Sequence, residues 1–570
     1  MHYSFGRARL VSKLLPVSIS PPLRRPLSWL HSAYPSSSIS TFTRTCRSRA
    51  FTSPSTHDLY NYSSGRWLVN NDLRLAERRR EFDVDALCRL AAQSVGRTLQ
   101  DIHTFTKLAE GGFNRTFLIT MHDGFEMVAR IPYPVTVPKF YAIASEAATM
   151  RFLRSAGLPV PEVYDYAPSS DNAAKTEYIL MEFVRGANLG DMWMKLEEPD
   201  IVSVVRQLVQ LESRMMSIRF PAGGSLYYAS DLEKVAGRTG IPLDDERFCI
   251  GPDVSLHMWY GRRSRLDVDR GPYESAEAAL VAAARKEMAY LEKFGRPLLP
   301  FQRERREAYE YKEQPPSDHT RNLARYLLIA PLLVSKNAAL RHFRIKHPDL
   351  QPGNVIVSTS SDSTTPKIVG LLDWQHTPIL PVFLLAGIPS RLQNYDNPVS
   401  QALVPPSLPA NMDELDQSAQ SRAIGLYRSR LVHFHYVKYT ELCNKLHHAA
   451  LSDPVSMFVH RLFDHAGAPW EGETHALQAQ RRHGSSLRGT PCRTQALSAK
   501  LQVADENFEG CRGMLGFETE TWVSNGHYER ALALAELLKL TLLARIPEEE
   551  VRAKVEANWF LSDMDEEAYM

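Results

Sequence analysis

The chain has 570 residues, a formal net charge of +2, 44% hydrophobic residues and 23% charged residues. That length exceeds one compact core and implies a lobed domain with extensions, and the apolar fraction and spread of charge are those expected of a soluble globular protein. Six scattered cysteines without C-x-x-C spacing imply neither a disulfide framework nor a structural zinc. No run of eighteen apolar residues predicts a transmembrane segment.

At the N-terminus no Asp or Glu precedes Asp58, whereas Arg7, Arg9, Lys13, Arg24, Arg25, Arg44, Arg47 and Arg49 do, amid many Ser and Thr. A basic, hydroxylated, acid-free leader has the composition of an organellar transit peptide, and Arg49-Ala-Phe51 resembles a matrix processing site. Residues 1–51 are therefore expected to be a mitochondrial transit peptide, handled by the import machinery, with 52–100 as an N-terminal extension. A disordered basic tail is the alternative. Removing eight positive charges turns the net charge of +2 into about −6, so no nucleic-acid partner is expected.

Residues 102–108 and 115–121 read as strands around Glu110-Gly-Gly-Phe-Asn-Arg115. Glycines at a hairpin tip, here Gly111 and Gly112, let backbone approach phosphate without a Cβ in the way, although paired glycines also make ordinary turns. No G-x-x-x-x-G-K-[ST] occurs, which excludes a Walker-type site. The next strand ends at Arg130, where a kinase places its phosphate-binding lysine, and a guanidinium there would pair with phosphate or with a carboxylate. A helix over 142–154 supplies the candidate partner Glu146. An apolar strand over 177–184 then ends in Met-Glu-Phe-Val and resembles the segment linking the two lobes of a kinase, where the backbone around Glu182 and Phe183 would hydrogen-bond adenine.

His347-Pro-Asp-Leu-Gln-Pro-Gly-Asn354 and Gly370-Leu-Leu-Asp373-Trp-Gln carry the chemistry. Phosphoryl transfer from a nucleotide needs one carboxylate to orient the attacking hydroxyl, here Asp349. It also needs an amide and a second carboxylate to hold the metal, here Asn354 and Asp373. Strands over 355–357 and 368–372, joined by a polar turn over 358–367, would carry Asn354 and Asp373 to one edge. The same residues taken singly are ordinary turn formers.

Pro348 in place of the kinase arginine, Pro-Gly-Asn, and Asp-Trp in place of Asp-Phe-Gly resemble the aminoglycoside phosphotransferase family. That resemblance implies a two-lobed, protein-kinase-like α+β fold, with a small β-sheet N-lobe bearing one helix and a large, mainly helical C-lobe. It further implies ATP and Mg²⁺ as cofactors and a small-molecule hydroxyl as acceptor. More specifically, LAEGGFNRTFLIT from Leu108, VARIPYPVTVPK from Val128, HPDLQPGNVIVS from His347 and DWQHTPILPVFLLAGIPSRLQNY from Asp373 resemble the fungal altered inheritance of mitochondria protein 9 family. This second resemblance implies a mitochondrial location and no particular substrate.

The resulting division is a nucleotide-binding N-lobe over 101–184 and a helical C-lobe over 185–470. An atypical loop spans 471–500 and a C-terminal helical extension 501–570. Helices are expected over 189–194, 201–216, 275–293, 307–312, 323–333 and 528–544, with 563–567 as a short acidic end. Tyr227, Tyr228, Trp259, Tyr260 and residues 267–273 are candidates for the acceptor pocket. Arg130 in the lysine position leaves open a catalytically weak or inactive kinase-like module. A protein kinase is disfavoured, because no Ala-Pro-Glu follows Asp373.

Overall fold

The computed structural model describes residues 57–236, 240–358, 365–478, 493–517 and 519–570. The expected transit peptide and residues 479–492 of the atypical loop lie outside those residues.

A short strand β1 (Gly65–Trp67) and helices α1 (Asn71–Arg78) and α2 (Val84–Ser94) precede the first lobe. Its strands are β2 (Ile102–Glu110), β3 (Asn114–Met121), β4 (Glu126–Pro132), β5 (Val163–Ala167) and β6 (Tyr178–Glu182), with helix α3 (Tyr141–Ser155) after β4. They form one antiparallel sheet in the order β2-β3-β4-β6-β5. Side chains alternate faces along a strand. Met127, Ala129 and Ile131 of β4 pack with Leu87, Ala91 and Ala92 of α2, whereas Val128 joins Ile143, Ala147 and Met150 of α3. Covering on both faces explains why β4 reads as a continuous apolar run. It also fixes Arg130, in register with Val128, on the α3 side.

The second lobe begins with β7 (Ala187–Asn188) and α4 (Glu198–Ser217). The expected helix over 189–194 is split into an α turn, Leu189–Met192, and a 3₁₀ turn, Trp193–Lys195. Strands β8 (Ser225–Tyr228), β9 (Ile241–Pro242) and β10 (Phe248–Gly251) then form a three-stranded sheet within the insertion, which the sequence reading did not anticipate. Helix α5 (Ala276–Phe294) starts where Ser275 accepts a hydrogen bond from Ala278 N. Helix α6 is Pro316–Leu333. Strands β11 (Phe343–Ile345), β12 (Val355–Val357), β13 (Ile368–Leu371) and β14 (Ile379–Pro381) hold the segments around His347–Asn354 and Asp373. Helices α7 (Gln417–Cys443) and α8 (Pro454–Gly467) complete the lobe. Among the described residues, no helix is long and apolar enough to cross a membrane.

Buried His319 on α6 shows how tightly this lobe closes. Its Nδ1 lies 2.8 Å from Thr474 Oγ1, and burial pushes its pKa from 6.5 down to about 4. The folded state therefore binds this proton more weakly than the unfolded chain. The resulting stability is complete above pH 6.5 and is lost as pH falls through about 4. Between those limits the wild type is expected to lose about 3 kcal/mol more than His319→Phe, measured by urea denaturation at each pH.

The C-terminal extension comprises α9 (Arg493–Leu515), β15 (Trp522–Ser524), α10 (Asn525–Leu543) and α11 (Glu549–Ala557). It does not stand apart. Strand β15 pairs antiparallel with β1, and the expected acidic end is built into the body. Asn70 N donates to Asp563 at 2.6 Å, Asn70 Nδ2 donates to Glu566 at 2.6 Å, and Arg74 pairs with Glu566. Arg303 donates to the carbonyls of Trp559, Ser562 and Asp563, and Tyr290 Oη to that of Met570. These demands on Arg303 and its neighbour Arg306 explain a departure from the expected helix over 307–312. That stretch is a series of turns, with Glu310 and Tyr311 at φ 55°.

Candidate active site

Strand β11 delivers the chain to His347. Lys346, the residue before it, donates to Gly387 O at 2.6 Å and lies 3.5 Å from buried Glu212. His347 accepts from Asp349 N at Nδ1 (3.1 Å), and its Nε2 lies 2.9 Å from Leu372 O. That pair of contacts requires the neutral Nε2–H tautomer. Burial supports it by lowering the His347 pKa to about 4. The ring also packs on Trp374 at 4.4 Å between centroids, so one histidine ties the Asp349 loop to the Asp373 segment.

Asp349 Oδ2 accepts from Gln351 Nε2 at 2.6 Å and from Asn354 Nδ2 at 3.3 Å. Asn354 Nδ2 also donates to Asp349 O at 2.9 Å, which turns the amide carbonyl oxygen away from Asp349. Burial, with the negative charge of Asp373 next in importance, pushes the Asp349 carboxyl up to about 7. The expected hairpin is present. Val355 pairs with Leu371 across β12 and β13, and Leu372 N donates to Asn354 O at 2.8 Å. Most of its connecting turn, 359–364, lies outside the described residues.

Asp373 sits at φ 66°, a left-handed conformation uncommon for a non-glycine residue. Its Oδ1 accepts from Arg130 Nη2 at 2.5 Å, while Arg130 Nη1 pairs with Glu146 of α3. Arg130 thus spans two carboxylates, and burial raises the Glu146 pKa despite that pairing. The amide ends of Gln375 and Asn114 lie 2.7 Å apart beside the Arg130 guanidinium, closing the cluster toward β3.

Gly111 and Gly112 form the β2–β3 turn, closed by Gly111 N donating to Asn114 O at 2.9 Å. Its base is braced by Glu110, which accepts from Ser63 N, Ser64 Oγ and Arg115 Nε. At its tip, Phe113 meets His376 edge to face at 5.5 Å, bringing the turn against the Asp373 segment. Glu182 and Phe183 lie at the end of β6, on the path between the lobes. There, Glu182 N donates to Glu162 O, and the Glu182 carboxylate accepts from Arg154 at 2.9 Å. That side chain braces α3 against the sheet, and Phe183 packs on the second-lobe core.

Sequence reasoning missed Gln351, Gln375, Asn114 and the contribution of the inserted sheet. Gln351 was visible as the polar residue two beyond Asp349. The sheet left no comparable signal. Fully buried Ser225 of β8 donates to Thr377 O at 2.9 Å and accepts from Val254 N at 3.1 Å. Val254 O in turn lies 2.8 Å from His376 Nδ1. Gly224 and Ile379 exchange both backbone hydrogen bonds. The insertion thereby splints His376, Thr377 and Ile379, just beyond Asp373. Ser225→Ala leaves Val254 N–H buried without this acceptor and is expected to cost about 1–3 kcal/mol by urea denaturation, with Ser225→Thr recovering part of the loss.

A five-stranded lobe whose basic strand residue meets a helix glutamate, over a loop and hairpin presenting Asp349, Asn354 and Asp373, defines a two-lobed phosphotransferase of the protein-kinase-like class. Residues 104–381 match the phosphotransferase enzyme family. A subtelomeric hrmA-associated cluster protein of Aspergillus fumigatus is 33% identical over 409 residues, covering 65% of this chain and 77% of the relative. Altered inheritance of mitochondria protein 9 of Yarrowia lipolytica is 28% identical over 368 residues, covering 60% of this chain and 62% of the relative. The crystal structure of ADP-bound aminoglycoside phosphotransferase APH(2'')-Ib is 14% identical, covers 75% of this chain and 99% of its own, and has a TM-score of 0.33. The chain belongs to the phosphotransferase enzyme family and is related to altered inheritance of mitochondria protein 9.

Proposed function

We propose that the protein transfers the terminal phosphoryl group of ATP to a hydroxyl of a small molecule in mitochondria, with Mg²⁺. One observation carries this reading: Asp349, Asn354 and Asp373 converge on one edge beneath the Gly111–Gly112 turn. The donor set suits the ion. Among the described residues no three His, Cys, Asp or Glu side chains cluster as metal ligands. Mg²⁺ prefers hard oxygens and is commonly held by one or two protein groups plus substrate phosphates, which the Asn354 amide oxygen and the Asp373 carboxylate match. When bound, the ion would neutralise charge on the phosphates.

The chain's own groups supply positioning. Gln351 and Asn354 tie Asp349 Oδ2, leaving Oδ1 to accept the proton of the acceptor hydroxyl. The acceptor oxygen then bonds to the terminal phosphorus, the phosphorus bond to the bridging oxygen breaks, and ADP leaves with that electron pair. Arg130 would pair with the phosphates by exchanging one of its two carboxylate partners, and the Gly111–Gly112 backbone would cover them. The acid-free leader and the mitochondrial name of the Yarrowia relative support the location.

A second reading, a nucleotide-binding or inactive kinase-like module, is favoured by Arg130 holding the same carboxylate that the metal would use. Thermal unfolding with ATP, with and without Mg²⁺, separates the two. The wild type is expected to gain several degrees with ATP and Mg²⁺ together, and Asp373→Ala to gain none from the metal. A wild type indifferent to Mg²⁺ would sink the catalytic reading.

A further inference from the structure

Helix α6 presents to solvent a face at odds with a surface helix. Arg321, Arg325, Leu328 and Leu332 follow one another at helical spacing along a single stripe, opposite buried Asn322, Leu323, Tyr326 and Ala330. Leu328 is 79% exposed and Leu332 82%, more than any other large apolar side chain among the described residues. A single exposed leucine is ordinary, but an adjacent pair one turn apart, with exposed Pro331 between them, makes an apolar tip.

Along the chain that carries that tip, charge has one sign. No Asp or Glu occurs from residue 319 to 348, while Arg321, Arg325, Lys336 and Arg341 are all exposed. Arg321 is paired with Asp318 at 3.2 Å, so Arg325, Lys336 and Arg341 carry most of the field. Apolar side chains at the centre with cations at the margin complement a surface that is anionic outside and hydrocarbon just beneath.

We infer that the exposed face of α6 is a docking surface for an anionic lipid bilayer. Leu328 and Leu332 enter the boundary between headgroups and acyl chains, and the flanking cations meet lipid phosphates. Because this contact is peripheral, it agrees with the absence of a membrane-crossing helix among the described residues. It does not depend on the proposed phosphoryl transfer, and an inactive protein would dock equally.

Vesicle co-sedimentation of the full chain tests the assignment, comparing phosphatidylcholine alone with phosphatidylcholine containing about one-third phosphatidylglycerol. The variants are Leu328→Ser with Leu332→Ser, and Arg325→Glu with Lys336→Glu, each checked for unchanged thermal unfolding. All three proteins share the basic N-terminal stretch, so differences between them report α6. Wild type is expected to partition onto the anionic vesicles and not the neutral ones, with each double variant bound roughly tenfold more weakly. No binding to anionic vesicles overturns the inference. So does binding undiminished by the leucine substitutions, which would leave general attraction to polyanions, an acidic protein among them.

Discussion

Arg130→Ala is expected to destabilise the protein by about 3–5 kcal/mol, the largest loss of any single substitution at the site. The guanidinium is almost wholly enclosed and touches Glu146 and Asp373 at once. Deleting it leaves two carboxylates facing one another in a poorly solvated space without their shared cation. Arg130→Lys is expected to recover only part of the loss, because one ammonium lacks the planar fork that reaches two partners from fixed positions. Urea denaturation of the three proteins measures both effects. A loss below about 1 kcal/mol for the alanine variant would mean that water already screens the pair.

The second large effect falls on rate. With a phosphoryl acceptor in hand, Asp349→Asn is expected to lower kcat by about 10²–10⁴-fold, because an amide retains the geometry but takes no proton. ATP- and Mg²⁺-dependent stabilisation should persist, since the Asn354 amide and the Asp373 carboxylate are unchanged. Transfer that survives the substitution would remove Asp349 from the role of base.

Both predictions concern residues that were legible in the sequence, and for a common reason. His347 to Asn354 and Asp373 lie in segments whose chemistry is local: a loop, a strand, a short turn and a second strand fix them together. The Arg130–Glu146 pair spans only 16 positions, from a strand to the helix after it. What was not legible depends on contacts between distant segments. Arg130 reaches Asp373 across 243 positions, and no pattern in either segment announces that the same guanidinium holds both carboxylates. Strands β8 and β10 have four residues each, too short for alternation to outweigh a helical surrounding. Glu182 was read for its backbone, yet its carboxylate's use on Arg154 follows from where α3 ends. Residues 307–312 had helical composition, but Arg303 and Arg306 are held by the tail and the chain turns instead.

That tail has a consequence for how the protein is made. Asn70 and Asp563 are hydrogen-bonded across 493 positions, and β1 has its only partner in β15 among the described residues. A ribosome releases the chain from the N-terminus onward, so Asn70 and Arg74 emerge long before the residues they hold. Until then β1 lacks its strand partner, and Arg74, already beside Glu77, lacks Glu566. Both contacts close only once residues 522–566 have been made. Products that stop before residue 522 keep an open strand edge exposed to proteolysis.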